Sequence, residues 1–247
     1  MEQKLKKAIK NSGNNLHLEV AEFLKGSGWD VDLSSYYCDD ITDKPREIDI
    51  VAKRRIDHQK DSFFVYLFLE CKYLKNESAF RINLNSGQSA VSAIILNGLN
   101  KDRILRESGW KKNHHYLTTK YVAKLFDASD SETQKTIFDG VTQPIKAPLS
   151  FRDKMPSKYI CYPIVVYRGI DGFYLVNKAQ NSDTELDALQ KEKHLIFGVR
   201  YSFKTLSSPR SVFREADFYV DFIHWDRLKY YLDCIEDEIK EIGEKYF

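Results

Sequence analysis

The sequence predicts an α/β (α+β) fold that opens with a helix, three strands and a second helix. Apolar residues at helical spacing mark the two helices, at about residues 14–26 and 86–100. Three strand-like runs lie between them, at about residues 29–37, 46–54 and 62–72. This order predicts a sheet that is covered by helices.

The first helix is predicted from an apolar stripe that a polar residue flanks. Its stripe consists of Leu16, Val20, Phe23 and Leu24. Glu19 lies at the edge of this stripe, so it is either a solvated residue or a group that reaches a site beside the helix.

The second strand alternates apolar and acidic residues. Ile48 and Ile50 share one face, and Glu47 and Asp49 share the other. The strand therefore presents Asp49 opposite to its apolar face.

The third strand carries charges at the end of an apolar run. Residues 63–69 are all apolar, and Glu70 and Lys72 follow on one face. Burying such charges costs several kcal/mol unless they are paired or bound to a charged ligand. Glu70 and Lys72 therefore form either a structural ion pair at a strand end or part of a functional site that Asp49 shares.

These elements resemble the PD-(D/E)xK nuclease superfamily, which has the restriction-endonuclease-like fold. That family has a helix that often carries a Glu, an Asp on one strand and (Asp/Glu)-x-Lys on the next. Glu19, Asp49 and the segment Glu70-Cys71-Lys72 match this order here, within residues 14–100. No Pro directly precedes Asp49, which departs from the family pattern. The resemblance implies a mixed β-sheet flanked by helices.

The chemistry of these residues fits a magnesium site. Mg²⁺ takes oxygen ligands and is commonly held by one or two carboxylates plus a substrate phosphate. We expect Asp49 and Glu70 as ligands, the backbone carbonyl of Cys71 as a third and Glu19 as a further one. Lys72 would stabilise the attacking hydroxide and the charge that develops on the phosphoryl oxygens. By resemblance, Gln88 on the second helix is a further candidate site residue, and Mn²⁺ is a substitute for Mg²⁺.

The predicted function is a Mg²⁺-dependent nuclease that hydrolyses phosphodiester bonds. The resemblance favours double-stranded DNA as the substrate and an endonuclease of restriction, defence or DNA-processing type. The alternative is a catalytically inactive nucleic-acid-binding or scaffolding domain that retains the nuclease fold. The three residues Asp49, Glu70 and Lys72 argue against the alternative, because an inactive copy has no chemical need of all of them.

The rest of the chain is predicted as an elaboration of one domain that spans residues 1–247. Polar composition and Pro144, Pro148 and Pro156 predict a long flexible loop or insertion at 127–158. Beyond it, we expect a hairpin formed by residues 159–167 and 173–176, and then further strands at 194–203 and 218–222.

A closing helix is predicted from Trp225 onward. Its apolar residues recur at alternating spacings of three and four: Trp225, Leu228, Leu232, Ile235, Ile239 and Ile242. Such spacing is typical of a coiled-coil seam, which would give a homodimer, and also of a helix that packs on its own sheet.

Composition excludes several classes of protein. The formal net charge of +2 is not that of a strongly basic nucleic-acid binder, although local basic clusters occur. These clusters are either solvated faces or phosphate contacts: residues 4–7, 53–55, 103–106 and 111–112. The four cysteines are far apart and form no Cys-x-x-Cys, so the sequence indicates neither a zinc site nor a disulfide framework. The six histidines, including His114-His115, are interpreted as incidental. We expect a cytoplasmic protein, because no apolar signal core or membrane-spanning run is evident.

Overall fold

A computed structural model describes residues 13–58, 61–96, 114–176, 190–205 and 212–246. The helices are α1 (Gly13–Gly26), α2 (Gly87–Leu96), α3 (His115–Thr118), α4 (Ser131–Phe151) and α5 (Leu228–Tyr246). The strands are β1 (Asp30–Cys38), β2 (Pro45–His58), β3 (Asp61–Tyr73), β4 (Ser78–Leu84), β5 (Tyr121–Ala128), β6 (Tyr159–Arg168), β7 (Phe173–Val176), β8 (Gln190–Glu192), β9 (His194–Thr205) and β10 (Val212–His224).

The described strands form one mixed sheet in the order β1-β2-β3-β6-β10-β9-β5-β4-β7-β8. The pairs β1/β2 and β2/β3 are antiparallel, whereas β6 runs parallel to both β3 and β10. Helices pack on both faces. The predicted class, a mixed sheet flanked by helices, is therefore confirmed.

Each face of the sheet has its own core because side chains alternate along each strand. Helix α1 buries Leu16, Val20 and Leu24 on one face, together with residues such as Tyr162 and Ile164 of β6. Helix α4 covers the other face, where it packs against Val165 and Tyr167 of the same strand.

The five predicted opening elements are observed with small differences in their ends, but an unpredicted strand, β4, lies between β3 and α2. Strand β2 continues to His58, and β3 spans Asp61–Tyr73. Of the second predicted helix, Gly87–Leu96 is observed, and residues 97–100 lie outside the described residues.

The prediction of a long loop at 127–158 is wrong, because most of that segment is α4. Asp130 caps the helix by accepting the backbone N–H of Thr133 at 2.8 Å. The helix then buries an apolar stripe against the sheet: Ile137, Val141, Ile145 and Leu149. Pro144 and Pro148 lie inside it, so these residues do not mark a loop here.

The predicted hairpin of residues 159–167 and 173–176 is also wrong. Both edges of β6 are occupied, by β3 on one side and β10 on the other. Strand β7 therefore pairs elsewhere, parallel to β4 and antiparallel to β8.

The apolar stripe of α5 packs against the sheet of its own chain. Leu228, Leu232, Ile235 and Ile239 are each at most 3% exposed and belong to the core on the α1 face. The coiled-coil interpretation of this stripe is therefore wrong, and the side chain of Ile242 lies outside the described residues. A homodimer stays a prediction, but the apolar stripe of α5 cannot be its interface.

No helix in the described part of the chain is both long enough and apolar enough to span a bilayer.

Candidate functional site

Three of the predicted site residues meet where β2 and β3 lie side by side. The Lys72 amine donates to Glu70 Oε2 at 2.6 Å. The backbone N–H of Asp49 lies 3.4 Å from Glu70 Oε1, and the backbone N–H of Cys71 donates to Asp49 Oδ2 at 2.8 Å. Asp49, Glu70 and Lys72 thus form one connected cluster, and the Cys71 peptide lies within it.

Helix α4 closes this cluster from above. Gln143 Oε1 accepts a hydrogen bond from the Lys72 amine at 3.2 Å. One turn earlier in the helix, Gly140 leaves space for the Lys72 side chain, because a Cβ there would stand 3.4 Å from Lys72 Cγ. The long Lys72 stem therefore lies under the helix, with its charged end held between Glu70 and Gln143.

Two further contacts anchor α4 beside this cluster. The Lys146 amine bonds to Asp39 Oδ2 at 2.7 Å, and Ser150 Oγ accepts the backbone N–H of Cys38 at 3.2 Å. Because Gln143, Lys146 and Ser150 follow one side of the helix, they align it along the end of β1 and over β3.

Burial dominates the electrostatics of the cluster. Glu70 is 1% exposed, and this burial, with the nearby charge of Asp49, raises its pKa to about 8 although Lys72 acts in the opposite direction. Burial would lower the pKa of Lys72, but the Glu70 and Asp49 carboxylates raise it above its usual value. Lys72 therefore keeps its charge at neutral pH.

The cluster suits a divalent cation. Glu70 and Asp49 bring two carboxyl groups together, and a cation between them would favour the ionised form of both. Glu70 is buried whereas Asp49 is partly exposed, so Asp49 is the carboxylate that faces solvent. Hard oxygen ligands of this kind fit Mg²⁺ or Mn²⁺.

The other two predicted site residues are not brought to the cluster. The Glu19 carboxylate is held by the Arg168 guanidinium through hydrogen bonds of 2.7 and 3.1 Å, and it extends from the helix on the opposite face of the sheet. Gln88 is exposed on α2, a helix that packs against β10. The amide side chain beside Lys72 is that of Gln143 on α4, and not that of Gln88.

The basic run at residues 53–55 is largely paired with acids. Lys53 bonds to Asp30 at 3.0 Å, Arg54 to Glu236 at 2.8 Å and Arg55 to Asp57 at 2.8 Å. These contacts favour an ordinary ion-paired face for this run. The other basic clusters, at residues 4–7, 103–106 and 111–112, lie outside the described residues.

Comparisons with protein-family models, curated proteins and solved structures find no match.

A second polar cluster lies on the α1 face of the sheet, and it was missed in the sequence. His115 Nδ1 lies 2.8 Å from Glu238 Oε2, and its Nε2 lies 3.1 Å from Asp221 Oδ2. His114 Nε2 is 3.3 Å from the other oxygen of Glu238. His194 Nε2 is 3.0 Å from Asp221 Oδ1. These three histidines contact buried acids, which their interpretation as incidental did not foresee.

In an extended segment, adjacent side chains such as those of His114 and His115 would point in opposite directions. The structure has the short helix α3 there, capped by His114, and the two imidazoles stack with centroids 4.9 Å apart. The acids they meet are distant in the sequence, and a separation of 123 residues between His115 and Glu238 hides the pairing from any local pattern.

Proposed function

We propose that the chain is a Mg²⁺-dependent nuclease that hydrolyses phosphodiester bonds, with double-stranded DNA as the favoured substrate. The observation that carries the proposal is the convergence of Asp49, Glu70 and Lys72 at one point of the sheet. The resemblance of these residues to the nuclease family implies an endonuclease of restriction, defence or DNA-processing type.

The order of elements supports a restriction-endonuclease-like core. Helix α1 and strands β1 to β3 form one part of the sheet. Helix α4 then leads into β6, which pairs directly with β3. This keeps the helix-strand-strand-strand-helix order of the resembled family. The segment from β4 to β5 is then an insertion between β3 and α4.

In this proposal, Asp49 and Glu70 would hold the cation, which would polarise the phosphate and favour hydroxide at neutral pH. The Lys72 amine stabilises negative charge on the attacking oxygen or on the phosphoryl oxygens. Gln143 accepts one of the amine hydrogens, so it limits the directions in which Lys72 can point. The remaining amine hydrogens are then available for Glu70 and for the substrate.

One observation favours the alternative of an inactive nucleic-acid-binding or scaffolding domain. Glu70 is 1% exposed and its Oε2 is occupied by Lys72 at 2.6 Å. In that case the pair is a structural ion pair, and neither residue contacts a cation.

A cleavage assay distinguishes the two functions. Purified protein is incubated with supercoiled, linear, branched and single-stranded DNA in Mg²⁺ or Mn²⁺, and we expect cleavage that a chelator stops. Binding of DNA without cleavage under every metal condition would support the inactive domain and contradict the nuclease.

The variant Asp49→Asn tests the site within this assay. Removing a charged ligand lowers metal affinity, so we expect a loss of cleavage that higher Mg²⁺ or Mn²⁺ partly restores. The matched control is Asp30→Asn, on the neighbouring strand in a surface pair with Lys53. Equal cleavage by Asp49→Asn and the wild type at limiting Mg²⁺ would place the active site elsewhere.

A further inference from the structure

The second polar cluster places three metal-binding side chains around one point. Donor atoms of His114, His115 and Glu238 all lie within 4.8 Å of one another. A tetrahedral zinc site with ligands at about 2.1 Å holds its donor atoms about 3.4 Å apart. His115 Nδ1 lies 2.8 Å from Glu238 Oε2 and His114 Nε2 lies 3.3 Å from Glu238 Oε1, so both imidazoles stand about that far from the carboxylate.

The groups behind these side chains orient them in the way that metal sites require. Ligating histidines commonly donate their other ring N–H to a carboxylate, and ligating carboxylates accept further hydrogen bonds. Here His115 Nε2 faces Asp221 at 3.1 Å, and Tyr162 donates to Glu238 Oε1 at 2.7 Å.

Asp221 is itself held on all sides. It is 0% exposed and accepts hydrogen bonds from the hydroxyls of Tyr116 and Tyr231, each at 3.0 Å, as well as from His194. A carboxylate so fixed keeps the His115 ring in one orientation, with Nδ1 directed at Glu238.

A cavity gives access to the cluster from solvent. It measures about 570 Å³ and is lined by His115, His194 and residues of the segments 118–121 and 190–196. His115 is 21% exposed, whereas Asp221 and Glu238 are almost completely buried. A hydrated cation could therefore reach His115 and keep water as a further ligand.

We propose that His114, His115 and Glu238 bind a first-row transition-metal cation of the Zn²⁺ class, with Asp221 and Tyr162 as orienting groups. This site lies on the opposite face of the sheet from Glu70 and Lys72, and it is independent of the proposed nuclease centre. Imidazole ligands favour Zn²⁺, Co²⁺ or Ni²⁺ over Mg²⁺.

Charge balance supports a cation at this position. Two buried acids, Asp221 at 0% and Glu238 at 6% exposure, face opposite ring nitrogens of His115. A divalent cation at Nδ1 would place positive charge beside both of them.

His114 must exchange one contact to act as a ligand. Its Nδ1 accepts the backbone N–H of Tyr116 at 3.2 Å, so its own proton lies on Nε2, toward Glu238. Ligation through Nε2 displaces this proton, and the long Tyr116 contact is the interaction that is lost.

Metal titration of the full chain tests the proposal. Protein stripped with a chelator is titrated with Zn²⁺ in a calorimeter and with Co²⁺ while its visible absorption is recorded. We expect one tight site with a tetrahedral Co²⁺ spectrum, and X-ray absorption of the Zn²⁺ form should show imidazole ligands. Titration with Mg²⁺ should not produce this binding.

The variants Glu238→Gln and His115→Gln should each weaken Zn²⁺ binding at least tenfold. Tyr162→Phe, which keeps all three ligands, should weaken it by about ten- to 100-fold. His17→Gln on α1 is a matched control that should bind Zn²⁺ like the wild type. Circular dichroism verifies that each variant is folded.

Three results would overturn the proposal. These are no Zn²⁺ or Co²⁺ binding by the wild type, a Zn²⁺ spectrum without imidazole ligands, or unchanged affinity in Tyr162→Phe together with the ligand variants. The wild-type measurements decide the matter if a ligand variant does not fold.

Discussion

At the scale of single residues, the proposed nuclease chemistry depends most on Lys72. Its stem crosses beneath Gly140, and its amine lies between Glu70 and Gln143 at 2.6 and 3.2 Å. Because both neighbours are fixed, the charge is positioned before any substrate arrives. Such preorganised charge is the form of stabilisation that acts on transition states.

We expect Lys72→Ala to lower the cleavage rate about 10²- to 10³-fold, in line with the loss of one preorganised donor. DNA affinity should change little, because the amine acts mainly in the transition state. Single-turnover cleavage and a binding titration measure the two effects. Lys75→Ala is the control, because Lys75 is exposed and pairs only at the surface with Glu132 at 2.9 Å. Equal losses in both variants would mean that general charge, not position, matters.

The local part of this site could be predicted, and the distant part could not. Glu70 and Lys72 share a face because side chains alternate along a strand, which the sequence alone reveals. The closeness of Asp49 to Glu70 could be predicted as well, because their two strands follow each other directly in the chain. Gln143 is 71 residues from Lys72, and no local pattern reports such a contact.

At the scale of elements, α4 forms despite two internal prolines. Each Pro inside a helix costs about 3 kcal/mol or more, since it removes a backbone hydrogen bond. Burial of each large apolar side chain stabilises the fold by about 1.5–3 kcal/mol. The buried stripe of α4 contains Ile137, Val141, Ile145 and Leu149. Tertiary packing thus outweighs the local preference. The spacing of that stripe and a capping residue at Asp130 are sequence signals of a helix, but the prolines outweighed them in the prediction of a loop.

The close fit of α4 over Lys72 predicts opposite effects for two substitutions of Gly140. In Gly140→Ala, the added Cβ makes ordinary contacts with Lys72, at 3.4 and 3.5 Å, and Ala favours the helix by about 0.8–1 kcal/mol. We expect unchanged or higher stability and retained cleavage.

In Gly140→Leu, the larger side chain must displace the Lys72 stem, so cleavage should fall while the protein stays folded. Urea unfolding and cleavage rates of both variants check this pair. Full activity of Gly140→Leu would show that the position of Lys72 under α4 is unimportant.

At the scale of the whole molecule, the sheet separates two polar clusters. Glu70 and Lys72 face α4, and Asp221 and Tyr162 face the α1 side of neighbouring strands. Both clusters carry buried carboxylates whose charge is compensated by a basic side chain. The stability of the protein therefore depends on the protonation of buried groups on both faces of its sheet.

The pKa of His115 determines in which direction the stability of the protein changes with pH. Burial alone would lower its pKa, but Asp221 and Glu238 raise it from 6.5 to about 10. A pKa that is higher in the folded state stabilises the protein fully below pH 6.5, and this contribution is lost as the pH rises through 10.

We therefore expect the difference in unfolding free energy between the wild type and His115→Gln to shrink as the pH rises from 7 to 10. The slope can reach about 1.4 kcal/mol per pH unit. Urea titrations in the presence of a chelator measure it. A difference that stays constant over this range would show that His115 is not held protonated by the two acids.

The pairing of β3 with β6 also governs how the chain reaches its native state. The parallel contact joins Glu70 to Val165 across the whole β4-to-α4 segment. Closing such a long loop is entropically costly, and topologies dominated by distant contacts fold slowly. Asp49 and Glu70 can meet early in a local hairpin, but Gln143 and the cover of α4 arrive only with the late step. In an incompletely folded chain, Asp49 and Glu70 are consequently exposed to water. The Lys72 side chain is then neither held in one position nor shielded from solvent.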